Sequence, residues 1–141
     1  MRDTYEVLGH AKSYDYMFSL IQNHSITGND VLAMHKLFYE QIDAESAGIY
    51  RTSKVMIAGS KYPVFPPSKI QSKMDQMFHW IQTKRVQYHP VKFAAQLHLR
   101  FVTIHPFVDG NGRITRLLMN TSLLQDRYMI AIIHPYCDKN T

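Results

Sequence analysis

Between residues 105 and 116 the chain reads His-Pro-Phe-Val-Asp-Gly-Asn-Gly-Arg-Ile-Thr-Arg. These residue types at this spacing suit the transfer of a phosphate-bearing group. Gly110 and Gly112 let backbone amides approach a ligand closely and take positive φ where required. They stand just before an expected helix, whose first amides lack internal partners and whose dipole end is positive, so the junction is an anion site. Arg113 and Arg116 are three residues apart on that helix and share a face, where two guanidinium forks suit several phosphate oxygens. Asp109 beside phosphates makes sense where Mg²⁺ bridges them, because that ion takes one or two carboxylates together with phosphate oxygens and water. His105 stands at the loop entrance, and an imidazole, with a free pKa of about 6.5, can accept a proton from an attacking hydroxyl at neutral pH. Base, metal ligand, amide cradle and cations together describe a phosphoryl- or nucleotidyl-transfer site.

Each part alone has a plainer reading. A histidine before proline is commonly a helix end, Asp-Gly-Asn-Gly is commonly a tight turn, and two arginines at helical spacing are commonly a solvated face. No Lys-Ser/Thr follows Gly112, so the segment is not a Walker loop. The joint occurrence at a loop-to-helix junction favours the chemical reading. Phe107 reads as a core anchor that fixes the loop.

The elements that must position this segment are mostly helical. Asp3 to Gln22 places Val7, Leu8, Ala11, Phe18 and Ile21 near one helical face. Thr27 caps a second helix, with Asp30 three residues on in a capping-box position and Val31, Leu32, His35 and Phe38 on one side. Val55 to Phe65 breaks the helical pattern and reads as a β-hairpin flap, with Pro63 marking an edge strand. Pro66-Pro67 ends it, and Ser68 is placed to cap a third helix burying Ile70, Met74, Phe78 and Ile81. Pro90 suits the first turn of a fourth helix running to about Ile104, with Ala94, Ala95, His98, Phe101 and Val102 apolar-facing. A fifth helix begins near Gly112, runs to about Gln125 and buries Ile114, Leu117, Leu118, Thr121 and Leu124. The fold class expected is mainly α with one small hairpin.

With 141 residues the chain suits one domain. The hydrophobic fraction of 45% is ordinary for a globular protein. No apolar run suits a membrane span, the first residues lack a signal-peptide core, and Cys137 is the only cysteine. These features point to a cytoplasmic chain without disulfides. The net charge of +5 is scattered, which argues against a nucleic-acid face. His79, His89, His134 and Cys137 show no zinc spacing, and His98 reads as a core histidine. Trp80 reads as a boundary packing residue.

The segment from His105 to Arg116 resembles the active-site motif of Fic domains, His-x-Phe-x-Asp/Glu-Gly-Asn-Gly-Arg-x-x-Arg, at every defined position. Gly48-Ile-Tyr-Arg51, the hairpin Val55–Phe65, Pro66-Pro67 and Ala94-Ala95-Gln-Leu-His98 resemble further Fic landmarks in order. The resemblance implies a Fic-like helical bundle with a hairpin flap over residues 1–141, and a protein adenylyltransferase moving AMP from ATP to a Ser, Thr or Tyr hydroxyl with release of pyrophosphate. It implies His105 as base, Asp109 as the Mg²⁺ ligand, and Gly110, Asn111 and Gly112 as anion cradle. Arg113 and Arg116 would hold donor phosphates. The flap residues Val55, Met56, Ile57, Ala58 and Gly59 would pair main chain to main chain with the protein substrate. Gly112 favours AMP transfer, since kinase-type members of the superfamily usually carry Lys there.

Two departures stand out. The Ser/Thr-x-x-x-Glu-Gly/Asn inhibitory motif is absent, and Thr4-Tyr-Glu6-Val does not have its spacing. The resemblance then implies control by an antitoxin-like chain, a homodimer or further sequence. The usual C-terminal helix is also not expected after Tyr128–Ile133. The rival readings are a truncated remnant that binds nucleotide or a partner without turnover, and a Fic enzyme that transfers another group or removes AMP.

Overall fold

The computed structural model describes residues 2–22, 25–55 and 64–128. Five α-helices occur among them: α1 Arg2–Ser19, α2 Gly28–Tyr39, α3 Pro67–Lys84, α4 Pro90–Ile104 and α5 Asn111–Gln125, with a single 3-10 turn at Arg85–Gln87. No strand occurs among the described residues. The expected flap lies mostly outside them, since 56–63 are not described.

α5 is the central element. Ile114, Leu117, Leu118, Thr121 and Ser122 are all almost fully buried, as are Asn111 and Thr115 in its first turns. α4 runs antiparallel beside it: Thr115 Oγ1 donates to the His98 carbonyl at 3.2 Å, and Ala94 packs with Met119 and Leu123. Phe93, Phe101 and Phe107 have no exposed surface, and each contributes about 1.5–3 kcal/mol by leaving water. α3 closes the outer side of α4. There Trp80 stacks on Phe93 at 4.9 Å, and the Arg100 guanidinium covers the indole at 4.2 Å, a boundary role of the kind expected.

α2 starts where the sequence places it. The Thr27 hydroxyl accepts from the Asp30 amide at 3.3 Å, while the Asp30 carboxylate accepts from the Thr27 amide at 2.8 Å. This reciprocal box satisfies two donors that helix geometry leaves free. α3 departs from expectation. It starts at Pro67 behind the extended Pro66, so the fixed proline φ begins the helix and Ser68 is not its cap.

α1 corrects the expectation more substantially. Val7, Leu8 and Phe18 face solvent at 68%, 49% and 52% exposure, while Gly9, Ser13, Met17 and Leu20 are buried. The reason is close helix approach. A Cβ on Gly9 would collide with the Phe38 carbonyl oxygen, and Ser13 Oγ donates to the Met34 carbonyl at 2.8 Å. Tyr16 OH donates to Asp30 at 2.9 Å. These pairings (9 with 38, 13 with 34, 16 with 30) run α1 and α2 antiparallel, and small residues rather than large apolar ones form the seam. On α4, Ala95 is exposed and the buried face is Phe93, Ala94, Leu97 and Phe101.

Candidate active site

α4 ends at Ile104, and His105 caps it in the left-handed region with φ 52° and ψ 61°. Its amide still donates to the Phe101 carbonyl at 2.9 Å. A non-glycine residue in this region costs about 1–2 kcal/mol, so surrounding contacts must hold it. Arg51 supplies them. Its amide donates to the Pro106 carbonyl at 2.8 Å and its Nε to the His105 carbonyl at 2.7 Å. The same guanidinium donates through Nη1 to Ser53 O at 3.1 Å and through Nη2 to Phe65 O at 2.5 Å. Arg51 is only 3% exposed, and no carboxylate pairs with it among the described residues. Each such charge-assisted bond contributes about 1.5–3 kcal/mol.

The next stretch of loop is anchored from within. Phe107 lies flat on His35, with ring centroids 3.8 Å apart and planes 2° apart. The Gly48 amide donates to His35 Nδ1 at 3.0 Å, so Nδ1 accepts and Nε2 carries the proton. Nε2 then donates to the Asp109 carbonyl at 3.0 Å. Burial depresses the His35 pKa, although the Asp109 contacts oppose this, which matches a neutral imidazole. The Asn111 side chain is turned inward: its Oδ1 accepts from the Phe107 amide at 2.9 Å, and its Nδ2 donates to the Phe107 carbonyl at 2.7 Å. Only the main-chain amide of Asn111 is left to serve an anion.

Gly110 caps α5 at φ 82°, and a Cβ there would lie 2.9 Å from Phe38 Cε1. Both conformation and packing demand glycine at this position. The first helical bond runs from the Ile114 amide to the Gly110 carbonyl at 3.0 Å. The amides of Asn111, Gly112 and Arg113 precede it and have no carbonyl acceptor within the helix. Gly112 is exposed, and a Cβ there would meet nothing nearer than Arg116 Nη1 at 3.7 Å. The packing of the protein itself therefore does not require glycine at 112. The Arg116 guanidinium lies over the same first turn, and Arg113 lies over the Phe38 ring at 5.2 Å.

α1 completes the charge pattern. Arg2 Nη2 meets Asp109 Oδ2 at 2.7 Å, Arg2 Nε meets Glu6 Oε1 at 3.1 Å, and Glu6 Oε2 meets Arg113 Nη2 at 3.2 Å. Tyr39 OH adds a long contact to Asp109 Oδ2 at 3.4 Å, and the Gly110 amide donates to Oδ1 at 2.8 Å. A carboxylate of this chain thus touches a motif arginine even though the inhibitory spacing is absent. It meets Arg113. These pairs are partly exposed and screened by solvent, so each stabilises little. An incoming anion or cation would displace them at small cost. His105 is half-buried. Burial lowers its pKa, the Arg51 charge lowers it further, and Asp109 opposes both, so the imidazole is neutral at neutral pH.

The structure brings His105, Asp109, Gly110, Asn111, Gly112, Arg113 and Arg116 into one loop-to-helix junction. Val55 is half-buried, while Met56, Ile57, Ala58 and Gly59 lie outside the described residues. Phe107 is the anchor expected. The sequence reading did not assign Arg2, Glu6, Tyr39 or His35 to the site. It carried Arg51 as part of the landmark Gly48–Arg51, and in the structure its guanidinium donates to the Ser53 and Phe65 carbonyls. The charged i, i+4 pair Arg2 and Glu6 on one face of α1 was the available signal for the first two.

The fold is helical and centred on a glycine-bounded helix start, with a histidine, a carboxylate and two arginines around it. Residues 25–123 match the family model described as Fic/DOC family, and the chain belongs to that family. A protein named protein adenylyltransferase Fic from Drosophila grimshawi is 37% identical over 130 residues, covering 91% of this chain and 26% of the relative. One of the same name from Aedes aegypti is 36% identical over 141 residues, covering 94% and 28%. Among solved structures, a Fic domain containing signaling protein from Bacteroides thetaiotaomicron superposes with a TM-score of 0.88 at 27% identity, covering 98% of this chain and 54% of that one. Fic-1 (residues 134–508) from C. elegans gives 0.83 at 28% identity, covering 94% and 39%. The chain spans about a quarter of the length of the curated relatives it matches. No described helix is long and apolar enough to cross a membrane.

Proposed function

We propose that this chain carries out protein adenylyl transfer, moving AMP from ATP to a Ser, Thr or Tyr hydroxyl of another protein. The observation that carries the reading is the convergence of His105, Asp109, the open first turn of α5 and the two arginines at one junction. The names of its relatives support the same class of reaction.

In this reading the donor phosphates sit on the amides of Asn111, Gly112 and Arg113, with Arg113 and Arg116 clamping their oxygens. The target hydroxyl loses its proton to His105, and its oxygen bonds to the α-phosphorus. The bond from the α-phosphorus to the α–β bridging oxygen breaks, and pyrophosphate leaves. Asp109 is a half-exposed carboxylate with a guanidinium 2.7 Å away, so it suits a cation. Asp109 would hold Mg²⁺, which when bound supplies charge neutralisation on the phosphate oxygens. Control by an inhibitory partner chain or by a homodimer is part of the proposal.

The test is label transfer. Wild-type protein with labelled ATP, Mg²⁺ and a cell lysate should label protein, and the folded His105→Ala variant should not. Equal labelling by both would remove His105 from its role. ATP-dependent thermal stabilisation without any transfer would favour a nucleotide-binding module instead.

A further inference from the structure

We infer that Arg51 is a positioning residue for His105, fixing the main-chain turn from which the proposed base projects; this rests on the reading of His105 as the base. Arg51 reaches across 54 residues of sequence to the His105 carbonyl at 2.7 Å, and its own amide holds the neighbouring Pro106 carbonyl at 2.8 Å. These two bonds clamp the left-handed turn, φ 52° and ψ 61°, on its carbonyl side. The other two nitrogens donate to Ser53 and Phe65, one on each side of the stretch 56–63. One buried guanidinium therefore ties three separate main-chain segments together at the turn.

The donor pattern specifies arginine. Lysine carries its three N–H donors on one nitrogen and cannot span carbonyls met by three separate guanidinium nitrogens, and glutamine offers two hydrogens from one atom. The guanidinium donates to His105, Ser53 and Phe65 and the amide to Pro106, and none of these acceptors is a residue of α5. Loss of Arg51 should let the turn relax without disturbing the phosphate groups. A displacement of about 1 Å at a reacting group lowers the rate by about a hundredfold.

Arg51→Gln and Arg51→Lys are compared with wild type in label transfer and in amide hydrogen exchange. For Arg51→Gln we expect kcat to fall about a hundredfold while KM for ATP changes less than about threefold, with Arg51→Lys intermediate. Amides of His105 and Phe107 should exchange faster, while those of α3 keep their wild-type rates. Unchanged exchange at His105 and Phe107 overturns the assignment whatever the activity. So does a loss expressed in KM alone, or loss of the cooperative melt in both variants, since Arg51 would then hold the whole fold rather than the turn. If the wild type transfers nothing, the functional reading fails, and the exchange experiment still decides whether Arg51 holds the turn.

Discussion

His105 can act as a base only while its imidazole is neutral, and its surroundings favour that form. Burial and the nearby Arg51 charge both lower its pKa from the ordinary 6.5, against a smaller opposing pull from Asp109. A lowered pKa means that the proton leaves at a lower pH than in a free histidine. The acid limb of the kcat/KM profile should therefore lie below pH ~6.5. A limb above that value in the pH–rate profile would show that the ring is stabilised as a cation, contrary to the packing around it. At the same scale, Glu6 holds Arg113 through one partly exposed ion pair. Phosphate and Glu6 carboxylate compete for that guanidinium, so Glu6→Gln should tighten Mg²⁺–ATP binding about twofold to fivefold in titration calorimetry. Weaker binding would mean that Glu6 aims Arg113 rather than occupying it.

At the scale of elements, α1 is the arm that delivers Arg2 and Glu6 to the loop, and its seat is the Gly9 contact with Phe38. A methyl group there meets backbone and not a side chain that could turn aside. Gly9→Ala should lose about 1–3 kcal/mol in urea unfolding, despite the higher helix propensity of alanine. A gain in stability would show that α1 can lift away freely. This seam also explains what was and was not legible in the sequence. The candidate site residues of 105–116 are contiguous, so sequence alone put them at one loop-to-helix junction. The capping box of α2 is equally local. The buried face of α1 was misread because helix contact through Gly9 and Ser13 carries no apolar signal, while Val7, Leu8 and Phe18 carry a strong one and face water. His35 as a prop for the Asp109 carbonyl was illegible for another reason: its acceptors and donors are main-chain groups, which every residue has. The short landmark Gly48–Arg51 hinted at Arg51, but only the fold shows that its guanidinium reaches the His105 carbonyl.

For the whole molecule, the internal support of the site has a thermodynamic consequence. His35 is fully buried and its pKa is lowered on folding, chiefly by desolvation. The unfolded chain therefore takes up a proton first as pH drops. His35 should contribute nothing to the pH dependence of stability above about pH 6.5 and a decline below it, by up to about 1.4 kcal/mol per pH unit, until its folded-state pKa is passed; His10 and His105, also lowered, add to the same decline. Urea unfolding at pH 7.5 and 5.5 reads the sum, and His35→Gln should reduce the difference. An unchanged slope in that variant would assign the proton uptake elsewhere. Adenylyl transfer is distinguished from its rivals by the group that is moved. Parallel reactions with ATP labelled at the α- or at the γ-phosphate, each with a His105→Ala control, test it most directly. Adenylyl transfer gives protein labelling from α-labelled ATP only, dependent on His105; labelling from the γ-phosphate, or α-labelling that survives His105→Ala, would rule it out.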